Sequence, residues 1–248
     1  MTHPDAVSER RADRVPFALL AYAAALALFL IVPPFLGSKV GPPQWFTLQE
    51  AADLFTPVVV LPLAWAVLDL AGGLSRRGAV AFLLLAVVWV EAHGIHLAAN
   101  AIGDAFDKSV REGFYATPAG ALDYWLDEVL SHWLWHAAYL GLAVMILWHG
   151  RRLAPDVGRS AWPTAALAGF VYGVVFFIVT VEGGTAALGI PASIAFLAWS
   201  GYLTLRGPSS RSVVTFFLVA SVATLVGTAV WAAINGWTLP GFYDAGLL

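Results

Sequence analysis

Long apolar runs constrain this chain more than any other feature of its sequence. Stretches of about 20 predominantly apolar residues follow one another, and that length crosses the roughly 30 Å of hydrocarbon in a bilayer. Gly and Pro residues mark the ends of these stretches, as they commonly do where a helix stops. The sequence therefore predicts an all-α integral membrane protein, a seven-transmembrane helix bundle forming one domain over 1–248. The seven expected spans run approximately over 16–36, 54–72, 78–102, 124–149, 161–181, 185–205 and 212–235.

The composition agrees with a membrane location and excludes several functions. Hydrophobic residues make up 60% of the chain and charged residues 12%, against about 25% charged in soluble domains. A net charge of −3, without a basic run interleaved with aromatic residues, excludes nucleic acid as a partner. The absence of cysteine excludes disulfides, thiolate metal sites, iron–sulfur clusters and covalent c-type haem. Any metal must therefore be bound by nitrogen and oxygen.

Lysine and arginine in the short connecting segments predict the orientation. With a cytoplasmic N-terminus, ten of the 13 basic residues fall in inner segments and three in outer ones. We therefore expect a multi-pass protein of the cell membrane with an N-in, C-out topology. We expect a retained first helix rather than a cleaved signal peptide, because its apolar stretch exceeds the usual signal core. The expected polar segments are a cytoplasmic N-terminus over 1–15, an extracytoplasmic loop over 103–123 and an extracytoplasmic tail over 236–248.

Polar side chains form one stripe along the outer half of the third span. At 100° per residue, the side chains of His93, His96, Asn100 and Asp104 fall within a sector of about 80°. Glu91 lies near the middle of the membrane and points almost opposite to this stripe. The stripe climbs towards the outer surface and predicts a polar wall in that leaflet.

A second polar stripe occupies the outer half of the fourth span. Glu128, His132 and His136 are spaced by four residues, which places them on one narrow helical face. The connection between the third and fourth spans is short, so we expect the two helices to be antiparallel neighbours. The stretches EAHGIHLAAN and DEVLSHWLWH would then form two walls of one intramembrane site.

A shared ligand best explains this much polarity inside a bilayer. An ionisable side chain at the bilayer centre costs roughly 2.5–3.5 kcal/mol, and such groups commonly pair or serve a function. Imidazoles and carboxylates at these spacings suit a divalent ion, with zinc and iron the favoured metals. The expected metal ligands are His93, His96, His132, His136 and Glu128.

Other polar residues receive catalytic or supporting roles. Glu128 and Asp127 are the expected catalytic residues, acting as general base. Glu182, at the outer end of the fifth span, would close the site from a third helix. The residues expected to orient the ligands by hydrogen bonds are Asn100, Asp104, Glu91 and Glu182. The residues expected to line the entrance are Glu50 and Asp53.

One fragment resembles a known family of membrane hydrolases. Residues 131–136, SHWLWH, resemble the H-x3-H helix of the CREST superfamily of seven-helix membrane hydrolases, which includes alkaline ceramidases and adiponectin-type receptors. The resemblance covers six residues and aligns His132 and His136 with the paired histidines. In that superfamily the pair lies on the last helix, whereas here it lies on the fourth. The resemblance therefore implies hydrolytic metal chemistry rather than membership.

The favoured function is a metal-dependent hydrolase acting on a lipid or other membrane-soluble substrate at the extracytoplasmic leaflet. Two alternatives stay open. The ligand set could hold iron for oxygen chemistry, or one b-type haem between His96 and His132 or His136. The cluster could instead be a cation or proton site in a transporter, a sensor or a subunit of a larger membrane complex. The partners left open by the sequence are a second copy of the chain, in a homo-oligomer, and a larger membrane complex. Transport would need a polar continuation inward, and the inner halves of the spans carry almost no ionisable residues beyond Asp69.

Overall fold

The computed structural model of this protein is helical over most of its length. Most of the polar N-terminus expected over 1–15, and part of the tail expected over 236–248, lie outside the residues that it describes. The described residues are 13–36, 39–40, 46–106, 108–151, 161–206, 211–242 and 244–246.

Helices of very different lengths follow one another along the described chain. A π-helical segment, Trp125–Ser131, joins two of them, and a short 3-10 turn, Pro33–Phe35, follows the first. Two-residue strands, β1 (Lys39–Val40) and β2 (Phe46–Thr47), pair antiparallel. The helices are α1 (Val15–Ile31), α2 (Leu48–Asp53), α3 (Thr56–Leu70), α4 (Arg76–Asp104), α5 (Lys108–Tyr115), α6 (Pro118–Tyr124), α7 (His132–Gly150), α8 (Ala161–Glu182), α9 (Ala186–Arg206) and α10 (Arg211–Ile234).

Six helical stretches are long and apolar enough to cross a membrane, judged by length and composition. The expected multi-pass helical membrane architecture is therefore confirmed for six helices. The apolar helix α1, with 17 residues, is shorter than these six. It ends at Ile31, ahead of the expected boundary near 36, because Pro33 starts a 3-10 turn there. The six stretches are Leu48–Leu70, Arg76–Gly103, Pro118–Gly150, Ala161–Glu182, Ala186–Arg206 and Ser212–Ile234.

The segment expected as a loop over 103–123 contains two helices, α5 and α6. Thr117 accepts a hydrogen bond from the backbone N–H of Gly120 at 3.1 Å, which caps the start of α6. Pro118 follows in the first turn, where proline is favoured because its missing N–H is not needed there. The helical stretch that carries the fourth span therefore begins at Pro118 rather than near residue 124.

The bundle has two chemically different ends. Residues 85 and 141, and then Trp89 and Trp135, meet in reverse order along α4 and α7, so these two helices are antiparallel. One end, called the arginine end below, carries Arg14, Arg76, Arg77, Arg151 and Arg206 at helix termini. The other, called the histidine end below, carries His93, His96, His132 and His136.

Helix α8 forms the centre of the bundle and packs most extensively against α10 and α1. Its Tyr172 is buried and contacts the rings of Tyr22 on α1, Tyr139 on α7 and Phe216 on α10. Helices α4 and α7 also pack against each other along their lengths. The core therefore connects the histidine-bearing pair to the central helix through aromatic side chains.

Candidate functional site

The two histidine stretches face each other at the histidine end. The ring centroids of His96 on α4 and His132 on α7 are 5.1 Å apart. Deeper in the bundle, the rings of Trp89 and Trp135 meet edge to face at 5.5 Å. The structure therefore brings together imidazoles from the two stretches, at the depth that the helical periodicity predicts.

The π-helical segment contains two neighbouring carboxylates, and only one of them is buried against a histidine. A π-helix bonds residue i to i+5, so it rotates the residues before it relative to those after it, and such segments are frequent at functional sites. Asp127 is buried, and its Oδ1 lies 2.6 Å from Nδ1 of His96. Glu128 is 42% exposed, with Oε2 at 3.7 Å from Nδ1 of His132. The buried carboxylate contact thus comes from Asp127.

His96 and His132 are both engaged through Nδ1. The His96–Asp127 contact is an ion-pair contact whose angle is not that of a standard hydrogen bond. His132 Nδ1 lies 3.1 Å from the backbone carbonyl oxygen of Glu128, one turn earlier, so the ring donates to it. Both contacts orient the imidazole planes from the Nδ1 side.

His136 is engaged in the same way by a residue from another helix connection. Its side chain is 1% exposed, and Nδ1 lies 2.7 Å from the hydroxyl oxygen of Thr185, between α8 and α9. Gly183 brings this connection close, because a Cβ atom there would lie 3.0 Å from Cε1 of His136 and 3.3 Å from Cγ of His132. Thr185 and Gly183 were not predicted from the sequence, although both belong to the motif EGGT that begins at Glu182.

His93 is turned to a different partner from the other three histidines. Its Nε2 lies 2.8 Å from the backbone carbonyl oxygen of Asp53 and 3.4 Å from the carboxylate Oδ1 of the same residue. Thr56 donates a hydrogen bond to Asp53 at 2.8 Å. At the start of the same short helix, α2, Thr47 and Glu50 form a capping box. Asp53, expected at the entrance, is thus the partner of His93, while Glu50 is buried at the start of α2.

The side chain of Glu182 binds the C-terminal tail at the histidine end. Its carboxylate accepts a hydrogen bond from the backbone N–H of Phe242. The ring of Phe242 packs against Trp231 of α10 at 4.6 Å between centroids. Glu128, Glu182 and Asp244 are close enough to interact electrostatically. Glu182 therefore lies near the cluster. Its carboxylate binds the C-terminal tail and is close enough to interact with Glu128.

Three further residues expected near the ligands lie around the cluster without a described contact to it. Asn100 is half-buried on α4, one turn beyond His96. Glu91 lies on the exposed side of α4, consistent with its expected opposite direction. The backbone of Asp104 ends α4, and its side chain lies outside the described part of the structure.

The cluster does not already form a metal site in this arrangement. Among the side chains that the structure describes, no group of three or more histidines, cysteines, aspartates or glutamates could hold a metal ion. The reason is visible in two contacts. Nε2 of His93 is engaged by Asp53, and the rings of His132 and His136 are 6.3 Å apart between centroids.

Comparison with known proteins gives no relative from which a function could be transferred. Neither a protein-family model, nor a curated protein, nor a solved structure matches this chain.

Proposed function

We propose that this protein is a membrane metalloenzyme in which His96, His132 and His136 bind one divalent ion. The observation that carries the proposal is a shared orientation: each of the three imidazoles is engaged through Nδ1, which leaves Nε2 as the nitrogen for a ligand. Metal-binding histidines nearly always have the second ring nitrogen bonded to a carboxylate, a backbone carbonyl or another polar group. Here those groups are a carboxylate, a carbonyl and a hydroxyl.

A modest movement of side chains would complete such a site. Two nitrogens bound to one tetrahedral ion at about 2.1 Å are about 3.4 Å apart. The rings of His96 and His132 are already near neighbours at 5.1 Å between centroids, whereas His136 is farther from His132 at 6.3 Å. Rotation of the His136 ring about its side-chain bonds, with its Nδ1 still beside Thr185, would bring Nε2 of His136 closer to the other two histidines. His93, occupied by Asp53, stays outside this proposed set.

We propose hydrolysis of a lipid or another membrane-soluble molecule as the reaction. A divalent ion lowers the pKa of bound water and polarises an ester, amide or phosphoryl oxygen. Glu128 is suited to act as general base, because it lies beside His132 and remains 42% exposed at the mouth of the cluster. Asp127 is instead suited to orient His96, a role different from the catalytic one expected from the sequence.

We also propose seven spans with a cytoplasmic N-terminus. Helix α1 has 17 residues, or about 25 Å at 1.5 Å per residue, which is at the short end of the range for spanning helices. Its packing between α3 and α8 supports the same membrane crossing. The excess of arginine at the arginine end supports a cytoplasmic location for that end. The histidine end would then face the extracytoplasmic leaflet.

Elemental analysis of the purified protein tests the metal proposal. We expect about one zinc or iron ion per chain, and we expect the His96→Ala/His132→Ala double variant to lose it. His149→Ala is the matched control, because His149 is also on α7 but lies at the arginine end. Size-exclusion chromatography and helical circular dichroism would show that each variant is folded. Equal trace metal in the wild-type protein and the folded double variant would contradict the proposal.

Hydrolysis and the two alternatives can be separated with the same preparations. We expect the metal-loaded protein to cleave p-nitrophenyl laurate in mixed micelles and the double variant not to do so. Bound iron without esterase activity would favour oxygen chemistry, and a Soret absorption band would favour haem. The 5.1 Å between the His96 and His132 rings favours an ion over haem, because a porphyrin plane has to fit between two axial imidazoles.

A further inference from the structure

A column of buried aromatic side chains runs from the histidine cluster into the middle of the bundle. Trp89 contacts Trp135 at 5.5 Å and Tyr139 at 5.6 Å between ring centroids. Tyr139 stacks on Tyr172 at 5.2 Å, and Tyr172 contacts Tyr22 at 6.0 Å. The members of this aromatic column, drawn from α1, α4, α7 and α8, are Trp135, Trp89, Tyr139, Tyr172 and Tyr22.

The aromatic column is polar as well as buried. Three of its atoms have no hydrogen-bond partner within the described chain, namely Nε1 of Trp135, Nε1 of Trp89 and the hydroxyl oxygen of Tyr22, whereas the hydroxyl group of Tyr139 lies within reach of that of Tyr172. Each of these side chains is more than nine-tenths buried. Buried polar side-chain atoms in proteins are usually bonded to protein groups or to ordered water. A partner from outside the chain is therefore expected along the column.

A small cavity lies directly beside the aromatic column. Tyr172 forms part of its wall, together with the hydroxyl-bearing side chains of Ser193, Ser221 and Thr224. The cavity is about the size of one water molecule, and water occupies such a space when two to four polar groups are present to bond it. Hydroxyl-bearing side chains of α8, α9 and α10 therefore lie beside this cavity.

We propose that the aromatic column binds a chain of ordered water molecules that connects the histidine cluster with this cavity. The unpaired atoms are neutral indole N–H and phenol O–H groups, so they suit a small neutral ligand that both donates and accepts hydrogen bonds. The chain begins beside His136, whose ring lies 4.7 Å from that of Trp135 between centroids. It gives the histidine cluster a store of water and a hydrogen-bonded route for protons into the bundle. The proposal does not depend on metal binding.

The aromatic column also supplies polar atoms inward of the histidine cluster, where a count of charged residues finds almost none. Tyrosine and tryptophan count as apolar or interfacial residues in a hydropathy profile, yet each carries one hydrogen-bonding atom. The water chain reaches Tyr22 and Tyr172, well inside the bundle, and it needs no carboxylate such as that of Asp69.

Radiolytic labelling of the full-length protein in lipid nanodiscs tests this proposal. X-ray pulses split bound water into hydroxyl radicals that oxidise adjacent side chains, and mass spectrometry locates the products. We expect Trp89 and Tyr139 to be labelled several-fold faster than Phe82 and Leu147, after each rate is divided by that of the unfolded protein. These controls are buried side chains of the same two helices without polar atoms. Equal normalised rates would overturn the proposal.

A conservative variant gives the second arm of the test. Tyr139→Phe keeps the ring and removes the hydroxyl group, so we expect slower labelling of Trp89 because the water beside it loses an anchor. Tyr202→Phe, a change at a half-exposed position on α9, is the control and should leave Trp89 unchanged. Unaltered Trp89 labelling in Tyr139→Phe would contradict a chain that passes Tyr139. Metal analysis of the same samples reports on the proposed function separately.

Discussion

The α8–α10 contact and the α4–α7 contact are both long helix pairs in one bundle, but opposite kinds of side chain build them. In α8, Gly169 and Gly173 form a small-x3-small pattern against α10, and a Cβ atom on Gly173 would clash with the backbone of Ala220. The hydroxyl of Thr224 donates to the carbonyl oxygen of Gly173 at 3.0 Å. This pair brings two backbones together at the glycine residues.

The α4–α7 pair is polar at the histidine end. It places His96 against Asp127 and His132, and a π-helical segment interrupts the regular helix there. Buried ionisable groups weaken a membrane protein unless they pair or serve a function, whereas the glycine contact supplies packing without such groups. On the function proposed above, the α8–α10 pair contributes close packing, whereas the α4–α7 pair carries the candidate site.

The largest effect on stability is expected at the glycine contact. Gly173→Ala should lower the free energy of unfolding by about 1–3 kcal/mol, because the added methyl group forces α8 and α10 apart. Gly201→Ala is the control, since a Cβ atom there meets no atom within 4 Å. Thermal unfolding in detergent measures both variants. Metal content per folded protein should stay at the wild-type level in Gly173→Ala. A loss of metal would show that the α8–α10 contact also supports the metal site.

The largest effect on metal affinity is expected from Asp127→Asn. Removal of the charge that orients His96 should weaken binding about 10- to 100-fold, as is typical when such a partner is changed. Competition with a chelator of known affinity measures the change. Asp123→Asn alters another buried acid one turn earlier and should leave the affinity nearly unchanged. Equal losses in the two variants would show that general charge, rather than His96 orientation, is responsible.

A smaller loss of affinity is expected from Thr185→Val. This variant removes the hydroxyl bonded to His136 Nδ1 while keeping the shape of the side chain, and about tenfold weaker binding should result. Thr180→Val is the matched control. The hydroxyl of Thr180 is buried and has no partner in the described part of the chain, so its removal should not weaken metal binding. An unchanged affinity in Thr185→Val would exclude His136 from the proposed ligand set.

The smallest expected effect is that of Gly183→Ala. The added Cβ atom would lie 2.9 Å from the backbone carbonyl oxygen of Val179 and would also press on the rings of His132 and His136, and a strained ring rotamer costs about 0.5–1.5 kcal/mol. Affinity should therefore fall only a few-fold, measured by the same chelator competition. Gly94→Ala, on α4 with open space around its Cβ position, should show no loss. A gain of affinity in Gly183→Ala would contradict this expectation, because it would show that displacing the two rings improves their geometry for metal binding.

Features that depend on local periodicity were predictable from the sequence. Apolar runs of helical length gave six of the spans, because the hydrocarbon thickness fixes how many residues a helix needs. The facing of His96 and His132 followed from rotation by 100° per residue on two neighbouring helices. Both features depend on residues that are close together within one helix.

Features that depend on a departure from periodicity or on distant residues were not predictable in this way. The π-helical segment changes the register by one residue, so Asp127 rather than Glu128 lies buried against His96. His93 pairs with Asp53, 40 residues earlier, and His136 with Thr185, 49 residues later. No spacing rule connects such positions without knowing which helices are neighbours.

X-ray absorption spectroscopy at the edge of the bound metal tests the central claim most directly. The account predicts a first coordination shell that contains three imidazole nitrogens at about 2.0–2.1 Å, together with the outer-shell scattering of imidazole rings. A first shell made of oxygen atoms, without imidazole scattering, would contradict it. The ion would then be bound by carboxylates, and the three engaged Nδ1 atoms would have a purely structural role.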